Sequence, residues 1–447
     1  MSPSLSIECD WLDQPAAADP VERRTWAGLR IRVAGRFASR LWDREATSER
    51  QTLYIPAFPL AQWLIANWWS VLFEPNVADN VPPSGANASA AQRDWLARHC
   101  LRAADAGLML PRLCLFGSGR GVCAQWTADE PDAYPNMPGS FVSADWVHLD
   151  AVEAEHGLRE FVTEVLSQVA NMSDPRVARA RANWEAISRA EDGERFFCRA
   201  AGMMGLDPYV SEDWRPGLLS LLETGLGDDP DKPLVQDFLE AGTGETAEAQ
   251  WQWTTNAEKS LVLRSAPQDV SRRLAIPDQY RPAKTGYAAA HSVREKSGIS
   301  PVEPVGKLSD VSQALKLGSL AFVEVNHLPS RRVQAVVGWR GDHTPVVAGP
   351  VPSRDTNRRF LEARGLYHAI YACDRGARLA TSAHTWDQQA SRAFAAELLA
   401  PQAALLDEAT HSSEDSEALV STLSNRYRVS TQVIGYQLEN AGVGGMA

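Results

Sequence analysis

The feature that most limits the possible folds is an alternation of apolar and charged side chains within the strand-like region of residues 26–54. Leu29, Ile31 and Val33 are separated by Arg30 and Arg32. A period of two residues is typical of a strand with one buried face. The segment SERQTLYIPAF follows and is the expected partner strand. The chain therefore contains sheet as well as helix.

The next segment, bounded by Pro59 and Pro75, has a helical pattern. Leu60, Leu64 and Trp68 recur every four residues, which places them on one helix face. Proline is favoured at the start of a helix and stops it when it follows the end. The sequence predicts one helix between the two prolines.

The rest of the chain alternates between strand and helix signals. The turn sequence GSGRG, residues 117–121, predicts a hairpin, because a strand rather than a helix follows it. Residues 150–225 are mainly helical, and a third region begins near residue 282. There, a helix precedes short strands at LAFVEV, RVQAVVGW and TPVVAG, and further helices follow.

These changes of pattern predict a multidomain α+β protein. Its first domain, residues 1–150, is a Trp-rich mixed domain. Residues 151–281 form a mainly helical middle region with an acidic Gly/Pro linker near 225–250. Residues 282–447 form the third domain. A chain of 447 residues is too long for one ordinary core.

Composition limits the classes of protein further. The net charge of −12 argues against a large surface that coats nucleic acid. The chain lacks CxxC pairs and any apolar run of about 18 residues, and its first residues lack the apolar core of a signal peptide. We therefore expect reduced thiols, a cytoplasmic location and no membrane insertion.

The stretch RFLEARGLYHAIY, residues 359–371, has the outline of a zinc-peptidase helix. Such a helix carries His-Glu-x-x-His, with two imidazoles on one face and a glutamate as general base. The corresponding residues here run from Arg364 to His368 and read Arg-Gly-Leu-Tyr-His.

Residues 283–440 resemble the ImmA/IrrE family of bacterial metallopeptidases. Three segments carry the resemblance: RRFLEARGLYH, SRAFAAELLAP and NRYRVSTQVIGYQLENAG. The second is close to the family's Phe-Ala-Ala-Glu-Leu-Leu-x-Pro. The resemblance implies that the third domain has a zincin-like fold, here with a degenerate motif, and ends in a helix-turn-helix-like pair.

The resemblance also implies where the catalytic residues would stand. Arg364 occupies the first zinc-histidine position, Gly365 the glutamate position and His368 the second histidine position. Asp387 is the nearest carboxylate to the third ligand position. A guanidinium has no lone pair for Zn²⁺, and glycine has no carboxylate to act as base. We therefore expect no catalytic residues and no cofactor, with Arg364, Gly365, His368 and Asp387 forming a vestigial pocket.

Two alternatives concern the same pocket. His368, His384 and Asp387 would bind zinc if the last two lie one helical turn apart, with Cys373 as a further soft ligand. Otherwise Arg364 would hold an anionic group or pair with Asp387.

The C-terminal segment offers a nucleic-acid alternative. Arg426 and Arg428 would contact phosphates, while other polar side chains would face a groove. Those groove-facing side chains are Ser430, Thr431, Gln432 and Tyr436. Packing of this helical pair against the rest of the domain is the competing interpretation.

From these features we predict a non-catalytic recognition or regulatory protein, a pseudo-peptidase that binds a protein or nucleic-acid partner. The resemblance implies a setting in bacterial stress response, phage defence or mobile elements. Two alternatives stay open: an active zinc metallopeptidase with rearranged ligands that cleaves a transcriptional repressor, and a DNA-binding transcriptional regulator.

Overall fold

Contacts divide the chain into two compact units, residues 1–215 and 216–447. Each unit has its own cluster of buried apolar side chains. The computed structural model describes residues 4–13, 17–76, 88–130, 137–210, 216–226, 232–242, 246–259, 261, 274, 281–326, 331–341, 343–373, 376–412 and 415–442.

Among the described residues of unit 1, the strands form three small antiparallel sheets, ordered β1-β2-β3 with β6 also on β2, β5-β4-β9, and β10-β8-β7. Their strands are β1 Leu5–Trp11, β2 Trp26–Val33, β3 Arg36–Phe37, β4 Leu41–Asp43, β5 Ser48–Arg50, β6 Leu53–Pro56, β7 Arg112–Gly117, β8 Val122–Thr127, β9 Gly139–Phe141 and β10 Asp145–Leu149.

The predicted alternation is confirmed in β2. Leu29, Ile31 and Val33 are buried, whereas Arg30 and Arg32 lie on the more exposed face. The expected partner segment supplies β5 and β6, and β6 pairs with β2. The hairpin around GSGRG is also confirmed, because β7 and β8 flank it.

Helices cover the sheets of unit 1. They are α1 Pro20–Arg24, α2 Phe58–Ala66, α3 Trp68–Phe73, α4 Ala90–His99, α5 Ala151–Gln168, α6 Pro175–Arg189 and α7 Asp192–Met203, with a 3₁₀ turn at Leu101–Ala104.

The single helix predicted between Pro59 and Pro75 is interrupted at Asn67. The Asn67 backbone N–H and its side-chain Nδ2 both donate to the carbonyl of Trp63, at 3.0 and 2.9 Å. Asparagine side chains compete in this way with helical hydrogen bonding. The prediction was wrong in continuity but correct in its buried face.

Helix α5 packs directly on the first strand. A Cβ added at Gly157 would overlap the carbonyl oxygen of Leu5, so only glycine permits this approach. Consequently the helices after residue 150 share the core of the N-terminal strands. The contacts place the division of the chain at 215/216, whereas the sequence interpretation placed boundaries at 150 and 281.

The described strands of unit 2 form a four-stranded sheet in the order β11-β13-β12-β14, with β11 parallel to β13 and the other pairs antiparallel. The strands are β11 Ala321–Glu324, β12 Val333–Trp339, β13 Pro345–Gly349 and β14 Arg378–Thr381. The helices are α8 Pro216–Ser220, which continues into a π-helical turn at Leu221–Gly225, α9 Pro233–Glu240, α10 Ala247–Lys259, α11 Pro282–Lys296, α12 Leu308–Ala314, α13 Asp355–Tyr371, α14 Trp386–Leu399, α15 Gln402–His411, α16 Ser416–Tyr427 and α17 Thr431–Asn440.

The three predicted strands of the third region are present, and β14 is an additional strand that the sequence interpretation missed. The predicted linker near 225–250 contains all of α9 and the start of α10. Residues 227–231 and 243–245 of that segment lie outside the described residues. In the described part of the chain, every helix is too short or too polar to cross a membrane.

Candidate functional site

Helix α13 carries the zinc-peptidase-like residues and is buried along most of its second half. It packs on β12, β13 and β14 on one side and on α14 on the other. Residues 363–370 are all buried. Positions that would be open to solvent on an amphipathic helix are therefore enclosed here.

The Arg364 guanidinium lies in a cage of neutral oxygen atoms. Its Nη1 donates to Gln334 Oε1 at 2.6 Å, and its Nη2 donates to the Thr381 carbonyl at 2.8 Å. Nη2 also donates to Gln388 Oε1 at 2.7 Å, and Nε donates to Ser391 Oγ at 3.2 Å. These partners come from β12, β14 and α14. The cage holds together three elements around one cation.

Only 2% of the Arg364 surface is exposed. Burial, and then the positive charge of Arg392, holds the pKa of Arg364 well below the usual arginine value. Each contact is nevertheless to an acceptor, and arginine keeps its proton in proteins. The group is therefore a buried cation stabilised by hydrogen bonds to neutral acceptors.

The predicted pairing of Arg364 with Asp387 is wrong. Asp387 Oδ2 instead lies 3.1 Å from Arg378 Nη2. The guanidinium of Arg364 is taken up by its four neutral acceptors, while Asp387 faces Arg378.

Gly365 brings α13 against the sheet. A Cβ at this position would overlap Val347 Cγ2 of β13. A glutamate here has no space unless the helix and the strand separate. The family resemblance would put the general base at this position, but Val347 fills the space that its side chain would need.

His368 is fully enclosed, at 0% exposure. Burial, followed by the positive charges of Arg378 and Arg364, lowers its pKa well below the usual histidine value, so the imidazole is neutral. Neither ring nitrogen reaches hydrogen-bonding geometry with a described residue, although Gln388 and Asp387 lie close enough to favour its protonated form slightly.

The alternative ligand set is not arranged as a helical pair. His384 precedes α14, which begins at Trp386, so His384 and Asp387 are not one helical turn apart. Asp387 is engaged by Arg378, and Cys373 Sγ lies 3.6 Å from the Val337 carbonyl.

Within the described ranges, no three His, Cys, Asp or Glu side chains are grouped so that they would hold a metal ion. In the vestigial pocket itself the donors are one imidazole and one carboxylate, beside two guanidinium groups. A zinc site normally needs three protein ligands. The residues present do not fit zinc.

Beside His368 lies a buried cluster of charges that the sequence interpretation missed. Arg378 makes two hydrogen bonds to Asp237 of α9, at 2.7 and 2.9 Å, and the Leu379 N–H donates to the same carboxylate at 2.8 Å. Despite burial, the carboxylates of Asp237 and Asp387 raise the pKa of Arg378 well above its ordinary value. The cluster joins α9 to β14 and α14.

Glu240, one turn after Asp237, belongs to the same cluster. Burial, and then the negative charge of Asp237, raises its pKa to about 8. Two acids three residues apart in a helix whose other residues are mostly apolar were the available signal in the sequence. That signal did not reveal their partner, because Arg378 lies 141 residues further along the chain than Asp237.

The two C-terminal arginines both face carboxylates. Arg426 Nη1 lies 2.9 Å from Glu408 Oε2, and Arg428 Nη2 lies 2.8 Å from Asp355 Oδ2. Ser430 accepts from the Val433 N–H and so caps α17. The Ser430 side chain therefore serves as a helix cap, and both arginines are engaged within the domain.

The remaining members of the predicted nucleic-acid set lie on α17. Thr431 and Gln432 are exposed, and 54% of the Tyr436 surface is accessible. On the opposite side of α17, Ile434, Gln437 and Leu438 are buried. The helix therefore packs against the unit through one side and leaves a polar side in solvent.

Residues 334–439 match the family model of the IrrE N-terminal-like domain, Peptidase_M78. The predicted resemblance is thus confirmed for this part of the chain. The matched residues contain Arg364, Gly365, His368 and Asp387. No match to the chain is found among curated proteins.

Proposed function

We propose that the chain is a pseudo-peptidase: a cytoplasmic recognition or regulatory protein whose IrrE-like domain serves as a binding scaffold without zinc-dependent proteolysis. The observation that supports this proposal is the filled pocket around α13. Arg364 is hydrogen-bonded to four neutral oxygen atoms, and Gly365 lies against Val347. Arg364 at the first zinc-histidine position and Gly365 at the glutamate position remove groups that zinc-dependent hydrolysis needs. The same two residues make the contacts that fill the pocket.

The family match supports the biological setting that we propose. Together with the degenerate motif, it favours a role in bacterial stress response, phage defence or mobile elements. The partner that we expect is a protein. The ion pairs of Arg426 and Arg428 leave less positive charge for DNA phosphates than the sequence suggested.

The first test is the zinc content of the full chain, purified without a histidine tag and measured by elemental mass spectrometry. The matched control is His368→Ala, which removes the imidazole of the pocket. We expect the wild-type protein to contain no more zinc than this variant. About one zinc per chain, lost in His368→Ala, would overturn the proposal and favour a peptidase with a rebuilt ligand set.

A second measurement addresses the DNA alternative. Binding of a random-sequence duplex is followed by fluorescence anisotropy over a range of salt concentrations, with Arg426→Ala/Arg428→Ala as the comparison. We expect weak binding that the double substitution leaves unchanged. Salt-dependent binding that requires the two arginines would instead favour a DNA-binding regulator.

A further inference from the structure

Cys100 and Cys114 of unit 1 lie directly opposite each other. Cys100 follows α4, Cys114 is in β7, and the two residues form an isolated antiparallel bridge. Residues opposite each other in such a bridge have Cα atoms about 4.5–5.5 Å apart. That spacing falls within the range found in disulfides, about 4.4–6.8 Å. The backbone spacing of such a pair therefore suits a disulfide.

The surroundings make the two thiols chemically different. A hydrogen bond from Cys114, followed by the backbone N–H of Arg102 and the charges of Arg102 and Arg112, lowers the pKa of Cys100 to about 7, against the effect of burial. The same hydrogen bond, together with burial, raises the pKa of Cys114 well above its ordinary value. Cys100 is suited to be the attacking thiolate and Cys114 the second thiol.

The other cysteines have no such arrangement. All six cysteines lie in the described part of the chain and are in the reduced form. Burial raises the pKa of Cys9 to about 12 and that of Cys198 to about 11, and it raises the pKa of Cys123 further. Cys123 is the closest comparison, because it packs in the same apolar cluster as Cys100 and Cys114.

We propose that Cys100 and Cys114 form a reversible disulfide when the protein meets a peroxide. The Cys100 thiolate attacks one oxygen of hydrogen peroxide and breaks the O–O bond, which gives a sulfenic acid and, after protonation of the departing hydroxide, one water. The Cys114 sulfur then attacks the Cys100 sulfur and displaces the hydroxyl group, which leaves with the Cys114 proton as a second water. Two thiols lose two electrons and one peroxide gains them.

The bond would join the end of α4 to β7. Cys100 closes α4 at its C-terminus, and Trp95 of the same helix packs with Phe116 of β7. The reduced and oxidised forms would therefore differ in how firmly α4 is held. A small dithiol reductant would restore the thiols, since exchange with a free dithiol reverses the bond.

The test uses the reduced full chain, treated with one equivalent of hydrogen peroxide and then alkylated under denaturing conditions. Trypsin places the three neighbouring cysteines in separate peptides, residues 99–102, 113–120 and 121–159. We expect a linked pair of the first two peptides, about 2 Da below their summed mass. The count of free thiols should fall from six to four, a loss of two.

Cys123→Ser is the matched control and should form the same link, whereas Cys100→Ser and Cys114→Ser should not. The wild-type result stands even if a variant fails to fold. The proposal fails if six thiols survive the peroxide, if the link contains Cys123, or if Cys100 is converted to sulfinic acid without a linked peptide.

Discussion

Glu74 in unit 1 and Glu240 in unit 2 are both buried, at 5% and 7% exposure, yet their pKa values move in opposite directions. Burial alone would raise both. In Glu74, hydrogen bonds from His99 and Arg98 overcome burial and lower the pKa to about 2. In Glu240, burial and the negative charge of Asp237 raise the pKa to about 8.

The neighbours decide the difference. Arg98 makes two hydrogen bonds to Glu74, at 2.5 and 2.8 Å, and His99 Nε2 lies 3.0 Å from the same carboxylate. The other nitrogen of His99 lies 2.7 Å from the Leu115 carbonyl. Both neighbours, Arg98 and His99, therefore favour the ionised form of the Glu74 carboxylate.

Around Glu240 the neighbouring cation, Arg378, is already paired with other carboxylates. Arg378 binds Asp237 and Asp387, so it only partly offsets the repulsion that a third carboxylate feels. At Glu74 the arginine is hydrogen-bonded to the glutamate itself and favours its ionised form. At Glu240 the carboxylates outnumber the cation, and the glutamate keeps its proton.

The largest predicted effect comes from removing the cation of the unit 2 cluster. Arg378→Ala leaves buried carboxylates uncompensated, and we expect a loss of about 3–5 kcal/mol in the unfolding free energy of unit 2. Urea titration with pulse proteolysis, read by peptide mass spectrometry, reports each unit separately. The control is Arg358→Ala, whose partly exposed pair with Glu362 should contribute little. Equal losses in the two variants would contradict the argument that Arg378 compensates buried negative charge.

Glu74→Gln tests the opposite site. A folded-state pKa of about 2, against 4.5, contributes about 3 kcal/mol of stability above pH 4.5. That contribution is lost as the pH falls through the folded pKa. We expect Glu74→Gln to destabilise unit 1 by this order at pH 7 and to have little effect near pH 2, with exposed Glu160→Gln as the control. A pH-independent loss would instead point to packing.

Glu240→Gln should do the reverse. Because its folded-state pKa of about 8 exceeds 4.5, folding takes up a proton between these values, and stability falls as the pH rises from 4.5 to 8. Glutamine mimics the protonated form, so we expect Glu240→Gln to raise the unfolding free energy by about 1–3 kcal/mol at pH 8 and to have no effect near pH 4.5. The gain is limited because the protein relaxes around a buried charge and reduces the cost of ionisation. The control is exposed Glu324→Gln. Destabilisation at pH 8 would show that Glu240 is ionised and paired.

The smallest effect is expected where burial is absent. Arg428 and Asp355 form an ion pair in which the side chains are 58% and 70% exposed. We expect Arg428→Ala to change the stability of unit 2 by less than about 0.5 kcal/mol, and the remaining effect to decrease in high salt. A loss comparable to that of Glu74→Gln would mean that exposure does not weaken such pairs here.

Much of the fold was predictable because its signals are local. The alternation at Leu29, Ile31 and Val33 predicted β2, and the turn sequence GSGRG predicted the hairpin of β7 and β8. The break at Asn67 was missed because one side-chain hydrogen bond outweighed a continuous apolar pattern. Strand β14 was missed because it is short and depends on pairing with β12.

The chemical limits of the candidate site were also fixed by the sequence. Arg364 has no lone pair for a metal, and Gly365 has no carboxylate, whatever the fold around them. Only the tertiary structure determined the contacts of these residues. They are the hydrogen bonds of Arg364 to neutral oxygen atoms, the contact of Gly365 with Val347, and the ion pair of Asp387 with Arg378. The chemistry of a side chain is a property of its residue type and can be read from the sequence. Which side chains meet depends on sheet register and helix packing, which bring Asp237 to Arg378 and Cys100 to Cys114.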